Sequence, residues 1–112
     1  FLPDNQVAII VTITAMREAG YDAGTMAGIL HHREGADYLM AGLLLGLSGY
    51  AVDTIVFEVM NEYRTELIIA ITIAVLTKAI GAEFAQIPQY YKIIKRVIML
   101  VKVTTKVINK LT

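Results

Sequence analysis

Apolar residues fall into long runs along this chain, separated by short polar intervals. The first run, at residues 7–15, continues into a charged stretch and stops at Gly20, which favours a helix with Asp4 as its N-cap. Its many β-branched residues leave a strand open as the alternative. A shorter helix is predicted over residues 22–34, with Asp22 at its start.

Two uncharged apolar runs, at residues 38–52 and 67–77, lie on either side of a polar interval at residues 60–66. We interpret this region as a hairpin of two apolar helices, and one long helix with a solvated middle is the alternative. A membrane-spanning helix usually needs about 20 apolar residues, and shorter runs are more typical of a buried core. Neither run therefore predicts a simple transmembrane span.

The C-terminal segment predicts an amphipathic helix over residues 88–110, and Pro88 suits its first position. At about 100° per residue, the basic side chains of this segment share one face roughly 120° wide. Most of the other positions are Ile, Val, Leu or Tyr. The cationic face comprises Lys92, Lys95, Arg96, Lys102, Lys106 and Lys110.

These patterns predict an all-α fold in one domain over residues 1–112. Its parts are N-terminal helices (4–35), an apolar helical hairpin (36–82) and a basic amphipathic helix (88–110). The chain is 56% hydrophobic with a mean hydropathy of +0.60, above the values of an ordinary globular domain. We therefore expect its apolar helices to be buried against copies of the chain or against lipid.

Charge is distributed unevenly along the chain. Residues 1–83 carry ten acidic and four basic side chains, a net charge of −6, and the remainder carries +6. Such asymmetry indicates a charged partner. For the cationic face the candidates are anionic lipid headgroups, nucleic-acid phosphate, the acidic part of the chain itself, or plain solvation. The acids at residues 58, 62 and 66 could supply an acidic stripe for it.

Small residues at four-residue spacing predict close helix–helix packing, within the fold or between subunits. These are Gly24, Gly28, Gly42, Gly46 and Gly49. Two charges interrupt the apolar runs, Asp53 and Lys78. In a hairpin that turns near residue 64 they lie within one helical turn of each other, so we expect a buried ion pair. A proton or ion relay and simple solvent exposure are the alternatives.

No catalytic motif is present, and we expect no enzyme activity and no small-molecule substrate. The absence of cysteine excludes disulfides and thiolate metal sites. His31 and His32 are neighbours and should point about 100° apart on a helix, while His31 and Glu34 supply only two ligands. We therefore expect neither a metal site nor another cofactor. Bound lipid is the alternative that the sequence leaves open.

In its layout the chain resembles two groups of small self-assembling helical proteins. Filamentous-phage coat proteins have an acidic front, an apolar middle and a lysine-striped C-terminal helix whose lysines line a DNA-containing lumen. Conjugative-type pilins have two apolar helices joined by a polar turn, which residues 38–82 resemble. The resemblance implies a filament-forming subunit in a membrane-associated or extracellular assembly. A small integral membrane protein and a soluble helical binding module are the alternatives. Phe1 is compatible with removal of a leader.

Overall fold

The computed structural model of the chain describes residues 6–80 and 87–111, and these residues are helical with short connections. The helices are α1 (Gln6–Glu18), α2 (Ala23–His32), α3 (Tyr38–Leu47), α4 (Val52–Tyr63), α5 (Leu67–Ile80) and α6 (Ile87–Leu111). Neither of the two ranges contains a strand. The all-α prediction is confirmed, and the strand alternative for residues 7–15 is wrong. The predicted cap Asp4 lies outside the described residues.

Aspartate caps begin α2 and α3. The Asp22 carboxylate accepts a hydrogen bond from the Thr25 backbone N–H at 2.7 Å, and Asp37 accepts one from the Met40 N–H at 2.8 Å. Each bond satisfies an N–H that has no partner within its own helix. Asp22 stands where the sequence predicts it, whereas the cap at Asp37 is an additional helix start.

The region 36–82 contains three helices, so the predicted hairpin of two apolar helices does not describe it. The additional break lies between α3 and α4, where Gly49 has a φ of 99°. An L side chain rarely adopts that value, which is why a glycine ends this helix. The second break follows α4, where Arg64 has a φ of 56°. This turn excludes one long helix through residues 60–66.

Helix α3 lies at the centre of the molecule and packs on α1, α2, α4, α5 and α6. Its residues from 39 to 46 are all buried, and Leu43, Leu44 and Leu45 are 0% exposed. Burying one leucine side chain contributes roughly 1.5–3 kcal/mol. The first uncharged run is therefore sheltered by its own chain, and the expectation that it requires copies or lipid is wrong for α3.

Helices α5 and α6 are buried on one side only. Helix α5 buries Ile69 and Ile73, and α6 buries Ile94 and Ile98. The opposite side of α5 exposes Leu67, Ile68, Ile71 and Val75. In the part of the chain described, much of the exposed apolar surface thus belongs to these last two helices.

Candidate functional site

The basic side chains of α6 form one exposed surface, which we name the basic face. All of its residues are exposed: Lys92, Lys95, Arg96, Lys102, Lys106 and Lys110. Across residues 6–80 and 87–111, none of them forms an ion pair with a carboxylate. The Lys102 ammonium instead lies 3.3 Å from the Tyr38 hydroxyl and 5.6 Å from the centre of that ring. The charge of the basic face is thus left uncompensated by the described acids.

Exposed apolar side chains line the same helix. Ile93, Leu100 and Val107 recur every seven residues and are 42%, 67% and 51% exposed, and Leu111 continues this row. We name these four residues the apolar stripe. Seven-residue spacing keeps side chains on one side of a helix and is typical of helices that pair with other helices. The stripe adjoins the basic face on the helical wheel.

An open cleft lies beside the C-terminal half of α6, where the turn between α4 and α5 approaches it. Three cations, Arg64, Lys102 and Lys106, line the cleft. Its other lining residues are Tyr38, Thr65, Glu66, Ile69, Thr105 and Asn109. Cations beside hydroxyl and amide groups form a chemistry suited to an anion such as a phosphate group.

A tyrosine holds the first turns of α6 against α3. The Tyr91 hydroxyl donates a hydrogen bond to the carboxylate of Asp37, the residue that caps α3. This hydrogen bond, followed by burial, raises the pKa of Tyr91 to about 12. The position of α6 is thereby coupled to the start of the central helix.

Acidic side chains gather on α2 and α4, away from the basic face. We name Asp22, Glu58 and Glu62 the acidic surface. Burial, and then the neighbouring charges of Asp22 and Glu62, raises the pKa of Glu58. Helices α4 and α6 both pack on α3 and α5, but α4 and α6 have little contact with each other. The acidic surface and the basic face therefore occupy different parts of the molecule, while Glu66 lines the cleft with Lys102 and Lys106.

Both histidines converge on one acid of this surface. The His31 Nδ1 and His32 Nε2 atoms each lie 2.8 Å from Glu62 Oε1, and the two rings stack with centroids 4.3 Å apart. The expectation that the two rings cannot act together is wrong, because both side chains turn toward the same oxygen of Glu62 on α4. No local sequence pattern pairs Glu62 with His31, which lies 31 positions away.

The glycines predicted for helix packing differ in what they contact. At Gly42 and Gly46 a Cβ would meet the side chains of Ile73 and Thr77, so α3 and α5 approach closely there. Gly24 faces the carboxylate of Glu58.

For the other two glycines, packing within the fold is wrong, and packing of Gly28 between subunits stays a prediction. A Cβ at Gly28 would have open space around it. Gly49 lies outside the helices, where its positive φ and its closeness to the Arg17 guanidinium define its position. The five glycines therefore do not form one packing surface.

The predicted buried ion pair between Asp53 and Lys78 is wrong. Both residues are exposed. Asp53 lies in the first turn of α4 and accepts a hydrogen bond from the Thr54 N–H, whereas the Lys78 ammonium donates to the carbonyl of Gly46 at 3.1 Å. The positions of the two residues along α4 and α5 do not make the pair, because both side chains are exposed and Lys78 turns to α3.

Comparison with known proteins gives no family for this chain: no family model, curated protein or solved structure matches it. Within the two described ranges, no helix has both the length and the apolar content needed to cross a membrane.

Proposed function

We propose that this protein is a non-catalytic structural subunit that associates with copies of itself. The observation that carries the proposal is the separation of charge between the basic face and the acidic surface. The basic face has no ion pairs with the described acids. The acidic surface holds Glu58, whose pKa is raised by burial and then by the charges of Asp22 and Glu62. Each surface of one copy therefore complements the other surface of a second copy.

The apolar stripe adds a reason for close contact. Its four side chains are exposed beside the basic face, and an exposed contiguous apolar surface is typical of an interaction site. Charge would select the orientation of the second copy, and burial of the stripe would supply part of the free energy of association.

The arrangement favours an open assembly. A contact between two different surfaces of the same chain is head-to-tail, and it leaves one free surface at each end of the growing assembly. Such contacts build a ring when the rotation closes and a filament when it does not. We propose the filament, in agreement with the coat-like and pilin-like layout of the sequence.

The experiment is light scattering with negative-stain electron microscopy of the full chain without detergent. We expect filaments at about 50 mM salt and fewer of them at about 500 mM, because salt screens contacts between exposed charges. Lys106→Glu should weaken assembly. Arg33→Glu changes the net charge by the same amount but lies next to His32, beside the acidic surface, and should assemble at least as strongly as the wild type.

Two results would contradict this proposal. One is a monomer that persists at low salt and high protein concentration. The other is an equal loss of assembly in Lys106→Glu and Arg33→Glu, which would assign the effect to net charge rather than to the basic face.

A second candidate function is binding to an anionic membrane surface, and the cationic cleft beside α6 favours it. Met99 and Val103 support it as well, because they are 60% and 59% exposed and lie on the helical wheel among the cations of the basic face. Apolar side chains interleaved with lysines are typical of helices that lie in the lipid interface. Bound lipid would then be a partner rather than a cofactor.

The test for this candidate is sedimentation with vesicles that contain or lack phosphatidylserine. Val103→Ser should reduce binding to the anionic vesicles severalfold, while Val11→Ser, at a valine of equal exposure (60%) on α1, should not. A DNA titration in the same buffers distinguishes the other phosphate source. Equal binding to neutral vesicles, or equal loss in both variants, would count against a lipid role.

A further inference from the structure

The side chains of His31, His32 and Glu62 bring two imidazole nitrogens and a carboxylate oxygen to one point. Each nitrogen lies 2.8 Å from Glu62 Oε1, and all three atoms lie within 4.8 Å of one another. Around a tetrahedral zinc ion with bonds of about 2.0–2.1 Å, neighbouring ligand atoms are separated by roughly 3.4 Å. Zinc binding would therefore widen each nitrogen–oxygen spacing by roughly 0.6 Å.

We propose that His31, His32 and Glu62 bind a divalent late transition-metal ion, with zinc as the ion of choice. Two imidazoles and one carboxylate form a donor set that suits zinc, and three protein ligands leave a position open for water or another group. The site joins the end of α2 to the last turn of α4. It is distinct from the basic face. It shares Glu62 with the acidic surface, but metal binding is a property beyond the proposed self-association.

The surroundings of the cluster favour a cation. The Tyr63 ring packs against His31 at a centroid distance of 4.4 Å, and the Tyr63 hydroxyl is held by the carbonyl of Ala36 at 2.7 Å. The His31 ring is thus supported from one side. Glu58 lies one helical turn before Glu62 and adds negative charge.

The alternative is a purely structural hydrogen-bonded connection between α2 and α4, which we call the tie. In that case one carboxylate oxygen accepts from both imidazoles, and no ion is involved. The tie and the metal site make opposite predictions for Glu62→Gln. A glutamine keeps an oxygen that accepts hydrogen bonds but removes the anionic ligand, so it preserves the tie and weakens metal binding.

The experiment is a calorimetric titration of zinc chloride into the full chain, without a polyhistidine tag and after chelator treatment, at neutral pH. We expect one equivalent per chain. His32→Ala and Glu62→Gln should each weaken the affinity by about tenfold or more. Glu34→Gln is the matched control, because Glu34 lies two residues beyond His32 and outside the cluster. It should bind as the wild type does.

Two further measurements make the test independent of how well the variants fold. Zinc should raise the melting temperature of the wild type, because an ion that binds only the folded chain stabilises it. In NMR spectra of the wild type, zinc should shift the imidazole resonances of both histidines. Any one of three results would overturn the proposal. These are the absence of saturable binding, an unchanged zinc affinity in Glu62→Gln, and imidazole resonances that do not shift when zinc is added.

Discussion

At the scale of single residues, the two glycines of α3 allow α5 to pack closely on α3 because they have no side chain. Gly46 faces Thr77 of α5, with the Ile55 side chain of α4 close by. The Thr77 side chain packs directly on the backbone of α3 there, because Gly46 has no side chain of its own. This is the close approach that small residues at four-residue spacing permit, and the sequence predicted the spacing but not the partner helix.

Gly46→Ala should destabilise the protein. The added methyl group would meet Thr77 in a filled interior, and overpacking of this kind typically costs about 1–3 kcal/mol. Gly28→Ala is the matched control, since it introduces the same change in α2 where nothing lies near the new Cβ. That variant should gain up to about 1 kcal/mol from helix propensity.

Urea titrations followed by circular dichroism measure both glycine variants as shifts in midpoint. Equal effects of the two substitutions would show that helix propensity, rather than the contact between α3 and α5, determines the outcome.

At the scale of helices, the attachment of α6 to the rest of the molecule depends on a few contacts. Ile94 and Ile98 bury one side of it, and Tyr91 bonds to the carboxylate that caps α3. Sequence periodicity predicted the helix and its cationic face. It could not predict the Tyr91 contact, which joins residues 54 positions apart.

The Tyr91 contact predicts a loss of stability at alkaline pH. The pKa of a tyrosine in an unfolded chain is about 10, and that of Tyr91 in the folded chain is about 12. The folded state therefore holds this proton more tightly. The contribution is fully present below pH 10 and is lost as the pH rises through 12.

The measurement is the free energy of unfolding in urea at several pH values from 9 to about 12. Tyr91→Phe should show a shallower decline than the wild type. Tyr21→Phe instead removes the hydroxyl of an exposed tyrosine between α1 and α2. Its free energy of unfolding should decline with pH as that of the wild type does. Identical curves for wild type and Tyr91→Phe would exclude the contact as the cause.

At the scale of the whole molecule, the arrangement around α3 explains what the sequence could and could not predict. A run as apolar as residues 38–52 indicated burial, and burial is what the structure shows. Whether its own chain or another molecule provides that burial depends on five surrounding helices, which no local pattern encodes. The break at Gly49 was missed because a glycine in a leucine-rich run fits both a packing position and a helix end.

The predicted ion pair is absent because each charge has another partner. Once α3 and α4 are separate helices, Asp53 stands at a helix start, where a negative charge is favourable, and Lys78 reaches a carbonyl in the last turn of α3. The histidine cluster was missed because Glu62 lies 31 positions from His31 along the chain. The side-chain torsions of two neighbouring histidines can still bring both rings to one atom, and a helical wheel does not represent those torsions.

The central position of α3 has a consequence for the order of synthesis. Helices α1 to α5 leave the ribosome before α6, and chains generally begin to fold from the N-terminal side. The flank of α3 and α5 that Ile94 and Ile98 later cover stays exposed during that interval. A nascent chain stalled before residue 94 would expose this apolar flank, and the synthesis of α6 would cover it.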